Sequence, residues 1–309
     1  MEGDCLKIEI RDGISKVRFA PKSNNLLISS WDSNLRLFDL DTSKLRSEIP
    51  LEVGLLGCCF QDESTAFSIG SDCCLRSHDL NSGIHETVGN HDDLATCVEY
   101  SMETCQAITG VHIGVEVESI SLRGCHLAVG TGTSVNIYDL RNLNEPLETQ
   151  FSMEYSVSCV GLFADSKGYA VGSVDGLVAV QCLDLSDAND MSYMFRCQPK
   201  SRDGKRHLVS VNDVVFNPSH YGAFVTGDNE GYAIMWSAQN RKRLFQFTKY
   251  PNSVSSLSYN SSGQFLAVAS SYTHQEANER EEPPQIFIHE MNEKVMDMGS
   301  VACGTSSLK

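Results

Sequence analysis

The stretch LLISSWDSNLRLFDL (26–40) contains an apolar run closing in two serines, a tight polar turn, and a second run in which apolar and polar residues alternate. Period-two alternation buries one face of a strand, and the small polar residues between the runs are turn formers. The unit returns as AFSIGSDCCLRSHDL (66–80), LAVGTGTSVNIYDL (127–140), YAVGSVDGLVAVQCL (169–183) and FVTGDNEGYAIMWS (224–237). A shorter strand precedes each copy, in ISKVRFAP (14–21), GLLGCCF (54–60), VESISL (117–122), VSCVGLF (157–163) and VNDVVFNP (211–218). VSSLSYNSSGQFLAVASS (254–271) opens a further copy, which QIFIHEM (285–291) completes. Units of three or four strands recurring about every 40 residues predict an all-β propeller. Helical apolar spacing is absent, and β-branched residues fill the periodic segments.

The spacing carries a second message. The second hairpin strand ends at Asp39, Asp79, Asp139, Cys182 and Ser237, at intervals of 40, 60, 43 and 55 residues. The last interval holds a polar insertion, CQPKSRDGKRH (197–207). The interval of 60 is too long for one blade and too short for two. Two strands fit inside it, LATCVEYS (94–101) and TCQAITG (104–110), and VHIGVE (111–116) then leads into the next unit. The third blade is therefore expected to lack its outer hairpin. LKIEIRD (6–12) is left over, and Leu6–Asp12 is expected to close the last blade beside Gln285–Met291. This gives one propeller domain over 1–291 and a disordered tail over 292–309, which has no periodicity.

Composition excludes several classes. The 309 residues carry 24 basic and 40 acidic side chains, a net charge of −16, which opposes non-specific binding of nucleic acid. No apolar run approaches the length of a membrane span, and MEGDCLKIEIRDG lacks the basic start and apolar stretch of a secretory leader. The twelve cysteines form no C-x-x-C pair, which predicts free thiols rather than disulfides or zinc ligands. No nucleophile elbow, zinc-helix motif or phosphate loop occurs, so no enzyme, cofactor or metal is expected. His78 and His91 are placed at turns, and Asp32, Asp72 and Asp175 in the tight turns between paired strands.

Two features suit partner binding. Trp31, one of only two tryptophans, sits at a strand end, where it serves either blade-edge packing or an aromatic anchor on an exposed face. Trp236, inside an alternating strand, reads as core. Nine basic residues fall within 196–249 against four acids; they include Arg196, Lys200, Arg202, Arg241, Lys242 and Arg243. Brought together by adjacent blades, they suit an acidic or phosphorylated peptide; dispersed, they are solvated turns.

The chain resembles the mitotic-checkpoint WD-repeat family, the third "budding uninhibited by benzimidazoles" protein and its RNA-export relative. The resemblance rests on SSWDSNLRLFD (29–39), HDLNSG (78–83), CVEYS (97–101), IYDLRN (137–142), GYAVGSVDGLVAV (168–180), FRCQPK (195–200), RKRLFQFTKYPNSVSSLSY (241–259), and LAVASSY with IFIHE (266–290). It covers nearly the whole chain in order, with plant members most similar at the end. It implies a monomeric, non-enzymatic, seven-bladed scaffold of the nucleus and cytoplasm that joins kinetochores in mitosis. The implied partners are checkpoint kinases with a Glu-rich docking segment and a kinetochore scaffold phosphorylated on threonine. Trp31 then belongs to the docking face and Arg196 to its phosphate-contacting surface. The sister branch implies a nuclear-pore or RNA-export adaptor instead, and WD repeats in general also serve as ubiquitin-ligase adaptors. The chain departs from the family at Leu177, where Arg commonly follows the glycine, at Gln198-Pro199 after the cysteine, and in the absent third-blade hairpin.

Overall fold

A computed structural model describes residues 3–109, 117–143, 145–183, 192–198, 201–202, 205–206, 208–273 and 282–291. Among them are six four-stranded antiparallel sheets and one two-stranded sheet that belong to the ring. Blade 1 is β2 (Ile14–Phe19), β3 (Asn25–Ser30), β4 (Asn34–Asp39) and β5 (Lys44–Pro50). Blade 2 is β6 (Leu55–Phe60), β7 (Thr65–Gly70), β8 (Cys74–Asp79) and β9 (His85–Asn90). Blade 3, among the described residues, is β10 (Val98–Ser101) and β11 (Gln106–Thr109). Blade 4 runs through β12 (Val117–Arg123), β13 (His126–Thr131), β14 (Ser134–Asp139) and β15 (Glu148–Ser152). Blade 5 holds β16 (Val157–Leu162), β17 (Gly168–Ser173), β18 (Leu177–Cys182) and β19 (Tyr193–Arg196). A small hairpin, β20 (Ser201–Arg202) with β21 (Lys205–Arg206), follows it. Blade 6 is β22 (Val211–Phe216), β23 (Ala223–Asp228), β24 (Ala233–Ser237) and β25 (Lys242–Gln246). Blade 7 takes β26 (Val254–Tyr259), β27 (Phe265–Ser270) and β28 (Gln285–Glu290), with β1 (Asp4–Cys5) as its fourth strand.

Each inner strand packs on the next, and β26 returns to β2, so the ring closes. Side-chain oxygens stitch neighbouring inner strands. Ser119 and Ser121 accept from the Val160 and Leu162 amides at 3.1 and 3.0 Å, and Ser256 and Ser258 accept from Val17 and Phe19 at 3.2 and 3.0 Å. Asp213 accepts from the Leu257 amide at 2.8 Å and from Lys16 Nζ at 3.1 Å. These contacts satisfy backbone donors that a polar channel would otherwise leave to water. The buried apolar residues form seven clusters, one for each interface between blades.

The turn between the second and third strands needs a left-handed residue. Ser33, Cys73, Gly176 and Gly231 occupy this place in blades 1, 2, 5 and 6 with φ of 64°, 63°, 85° and 83°. At Gly176 the glycine is obligatory for space as well, since a Cβ would lie 2.5 Å from the Val209 carbonyl oxygen.

Three expectations change in detail. The closing strand is Asp4–Cys5, paired with Ile288 and Phe287, and only Leu6 of Leu6–Asp12 continues the ladder, donating to the Ile286 carbonyl at 2.9 Å. Beyond it the Ile8 amide turns back to the Leu6 carbonyl at 3.0 Å, and Leu6, Ile8 and Ile10 pack on the interface of blades 7 and 1. Their alternation marked a buried face, which does not require a ladder partner. Blade 3's strands are shorter than 94–101 and 104–110, because Thr104 and Cys105 make the turn, the Thr104 amide donating to Ser101 Oγ at 3.1 Å. His78 lies inside β8, fully buried, rather than in a turn. The segment 111–116, the tail 292–309 and most of the acidic loop 273–284 lie outside the described residues.

Candidate partner-binding face

One end of the ring carries the loops between blades and the turns between second and third strands. Trp31 stands there, directly after β3. Its amide donates to the Gly13 carbonyl at 2.8 Å, which ties this turn to the loop that leads into blade 1. The indole lies against the loop into blade 2, where a Cβ on Gly54 would come within 2.7 Å of the ring. Trp31 is half-buried. The ring is thus packed against two backbone stretches.

Beneath it lies a buried polar set. Arg36, 2% exposed, donates from Nη2 to Asp32 Oδ2 at 2.6 Å, from Nη1 to Ser30 Oγ at 2.8 Å and from Nε to Glu48 at 2.8 Å. The Arg11 amide adds a bond to Asp32 at 3.0 Å. Burial alone would raise the Asp32 pKa, but the hydrogen bonds from Arg36, Ser30 and Arg11 outweigh it and pull it down to about 2. Arg76 and Asp72 repeat the pair in blade 2, where the Arg76 hydrogen bond is the main reason the carboxyl falls to about 2. The sequence reading took these aspartates as turn caps and missed the arginines. The signal was present as Asp-x-x-x-Arg in both WDSNLR and SDCCLR.

Blade 5 solves the same problem differently. Asp175 is buried, Ala179 stands four residues later, and the guanidinium comes from Arg196 on the outer strand. Arg196 Nη2 donates to Asp175 Oδ2 at 2.6 Å, and Nη1 donates to the Asp175 carbonyl. Its side chain is 20% exposed. Burial would raise the Asp175 pKa, yet Ser173 and Arg196 lower it overall. Arg196 is thus an internally paired cation with donors to spare, since a guanidinium has five. Next to it, Gln198 Nε2 donates to Asp228 Oδ2 at 3.1 Å across the boundary with blade 6. Lys249 lies over the Tyr232 ring at 5.2 Å, a cation–π contact at the same end.

The remaining basic residues do not join this group. In blade 5, Leu177 pairs with Arg196 at one end and Val180 with Tyr193 toward the other. In blade 6, Ile234 pairs with Gln246 and Ser237 with Lys242. Arg241, Lys242 and Arg243 therefore sit at the end of the ring opposite Trp31 and Arg196. Arg241 lies over the Tyr193 ring at 5.2 Å, Lys242 is exposed, and Arg243 Nη1 donates to Gln246 at 3.1 Å. The basic run that looked continuous in sequence is divided by the strand it flanks. The backbone of Arg202 lies in the β20–β21 hairpin, on the loop at the Trp31 end; Lys200 lies outside the described residues.

Among the described residues the thiols are free, and Cys58, Cys59 and Cys159 are buried. Burial pushes Cys58 and Cys97 up to about 11, which makes them poor nucleophiles at neutral pH. Among the described residues no group of three or more metal-ligating side chains gathers.

A ring of antiparallel blades carrying a tryptophan and paired Asp–Arg turns on one end is a WD-repeat β-propeller, and a profile described as "WD domain, G-beta repeat" matches residues 3–39. The chain is 43% identical to mitotic checkpoint protein BUB3.3 of Arabidopsis thaliana, over 94% of this chain and 100% of that protein. It is 40% identical to mitotic checkpoint protein BUB3.1 of the same plant, over 91% of each. A poly(A)+ RNA export protein of Schizosaccharomyces pombe is more distant, at 25% identity over 90% of this chain and 87% of its own. The chain belongs to the BUB3 family of mitotic-checkpoint WD-repeat proteins. The alignment with BUB3.3 spans 314 residues, longer than this chain's 309, so that relative has residues with no counterpart here.

Proposed function

We propose that this protein is a non-enzymatic docking scaffold of spindle-checkpoint signalling, acting at kinetochores in mitosis. The observation that carries the reading is Trp31, packed against Gly13 and Gly54 and half-buried on the end of the ring that also bears Arg196. A fixed aromatic ring loses little entropy when a partner covers it, which suits a binding anchor. The partner assigned to Trp31 is a Glu-rich segment of a checkpoint kinase. The partner assigned to Arg196, Lys200 and Arg202 is a phosphothreonine motif of a kinetochore scaffold. Arg241, Lys242 and Arg243 offer the same chemistry from the other end of the ring, as a separate secondary surface. Kinship supports the checkpoint reading, since the more similar relatives bear mitotic-checkpoint names and the RNA-export relative is more distant.

The test is calorimetric titration of a Glu-rich peptide and of a phosphothreonine peptide. Trp31→Ala is expected to weaken the first. Arg196→Gln, which removes the charge, is expected to weaken the phosphopeptide by about one to two decades, the worth of a charge-assisted contact. The unphosphorylated peptide should change far less. Equal losses for both forms would show that the surface reads general acidity, and absence of binding by the wild-type protein would overturn the assignment.

A further inference from the structure

Among the described residues the third blade ends at its second strand, so its open edge is β11, where the other six blades end at a fourth strand. β11 pairs with β10 through Val98–Thr109, Glu99–Ile108, Tyr100–Ala107 and Ser101–Gln106, and among the described residues no strand lies on its other side. Half of its backbone N–H and C=O groups therefore point away from β10. In every other blade the second strand is covered by a third. The seven residues between Thr109 and Val117 are too few for two strands and a turn.

The surroundings of this edge are unusual too. Of the eleven large apolar side chains exposed among the described residues, six flank blade 3. Ile84 and Val88 belong to the outer hairpin of blade 2, Leu94 to the loop between blades 2 and 3, Met102 to blade 3's own turn, and Leu143 and Leu147 to the outer connection of blade 4. Ile84 is 71% exposed and Leu147 60%. Leu94 stands at the Trp31 end of the ring and Ile84, Met102, Leu143 and Leu147 at the opposite end, so exposed apolar side chains border the gap at both ends, which suits a segment lying along β11.

Charge selects the occupant. Glu86, Asp92, Asp93 and Glu103 are all exposed around the gap. The arginines on the third strands of the flanking blades, or just beyond, are already taken up, Arg76 by Asp72 and Arg141 by Asp139. A second copy of a chain at −16 would bring like charge to this acidic rim.

We propose that β11 is an acceptor edge, and that an extended segment of a partner protein, alternating apolar with basic residues, adds to it antiparallel as the third strand of blade 3. Main-chain hydrogen bonds supply affinity, and the alternate side chains meet the apolar flanks and the acidic rim. This surface is distinct from the Trp31 face, so either assignment can fail without the other.

The probe is a ten-residue peptide alternating valine with lysine and threonine, titrated against the full-length protein. Its control has the same composition with the valines in one block. The alternating peptide is expected to bind at least tenfold more tightly and to slow amide exchange in Gln106–Thr109. Asp92→Lys and Leu147→Lys, at exposed positions, are expected to weaken it at least tenfold without moving the melting temperature. Equal binding of the two peptides, unchanged exchange in β11, or insensitivity to both variants would overturn the proposal. Slow exchange at β11's outward amides in the free protein would overturn it as well, by showing that the chain covers its own edge.

Discussion

The interface between blades 6 and 7 and the interface between blades 2 and 3 are built from the same repeat and differ in depth. The first buries eleven apolar residues, among them Met235, Phe247, Tyr250 and Leu266 from the outer as well as the inner strands. The second buries six, and blade 3 supplies only Ala95 and Val98. The far side of blade 3 is equally thin, with six buried residues all from blade 4 and only Cys97 and Ile108 of blade 3 partly buried against them. A blade is a sheet whose two faces each need a cover. Among the described residues blade 3 has half the strands and so half the face to offer, and the loss is felt in its neighbours. Phe67 and Leu75 in blade 2 remain 9% exposed, whereas Leu266 and Val268 in blade 7 are fully buried. Stability is therefore expected to be uneven around the ring, with local opening starting at blade 3.

The largest effect that would break this contrast is a cavity. Phe224, fully buried between blades 5 and 6, is expected to lose about 3–5 kcal/mol on change to Ala. Ile108→Ala in blade 3 is expected to lose only about 1–2 kcal/mol, because its side chain is part buried. Urea midpoints measure both, and a loss at Ile108 matching that at Phe224 would mean that blade 3 is as tightly held as the rest.

Acidification comes next and acts on both sides. His78 in blade 2 bonds Ser68 Oγ through Nε2 at 2.7 Å, and His289 in blade 7 bonds Tyr250 Oη through Nε2 at 2.6 Å. Burial pulls their pKa values down to about 3 and about 4. The unfolded chain, with histidine near 6.5, binds more protons below that pH, so stability is full above about 6.5 and falls as pH drops toward the folded values. Each contributes a loss of about 2 kcal/mol at pH 5. Thermal melts at pH 7.5 and 5 should show it. His78→Phe, copying Phe38 at the matching place in blade 1, should remove about half of the slope; an unchanged slope would assign it to other groups.

A smaller effect concerns the tie across the channel. Arg18 in blade 1 meets Glu99 in blade 3 at 2.5 Å, with both side chains partly exposed. Glu99→Gln is expected to lower stability by about 1 kcal/mol and to speed exchange in β10 and β11 more than elsewhere. Uniform acceleration around the ring would show that blade 3 does not open by itself. The smallest effect is at Arg141, whose pair with Asp139 is largely solvated. Arg141→Ala should leave the urea midpoint nearly unchanged.

Much of this was legible in the residues alone. Alternation and turn chemistry are local, so the repeats, the six complete blades and the short third one followed from LLISSWDSNLRLFDL and its copies, and from the interval of 60 between Asp79 and Asp139. The packing faces were legible for the same reason, including Leu6, Ile8 and Ile10, although not what they paired with. What tertiary structure alone decided is which residues share an end of the ring. Arg196 and Arg241 look like one basic run, and a strand's length separates them, because successive turns of a meander alternate between the two ends. Arg196 also looked like a free surface cation, and it replaces in space the arginine that blades 1 and 2 place four residues after their turn aspartate. A buried carboxylate needs a partner wherever the chain can supply one, and sequence distance does not record where that is.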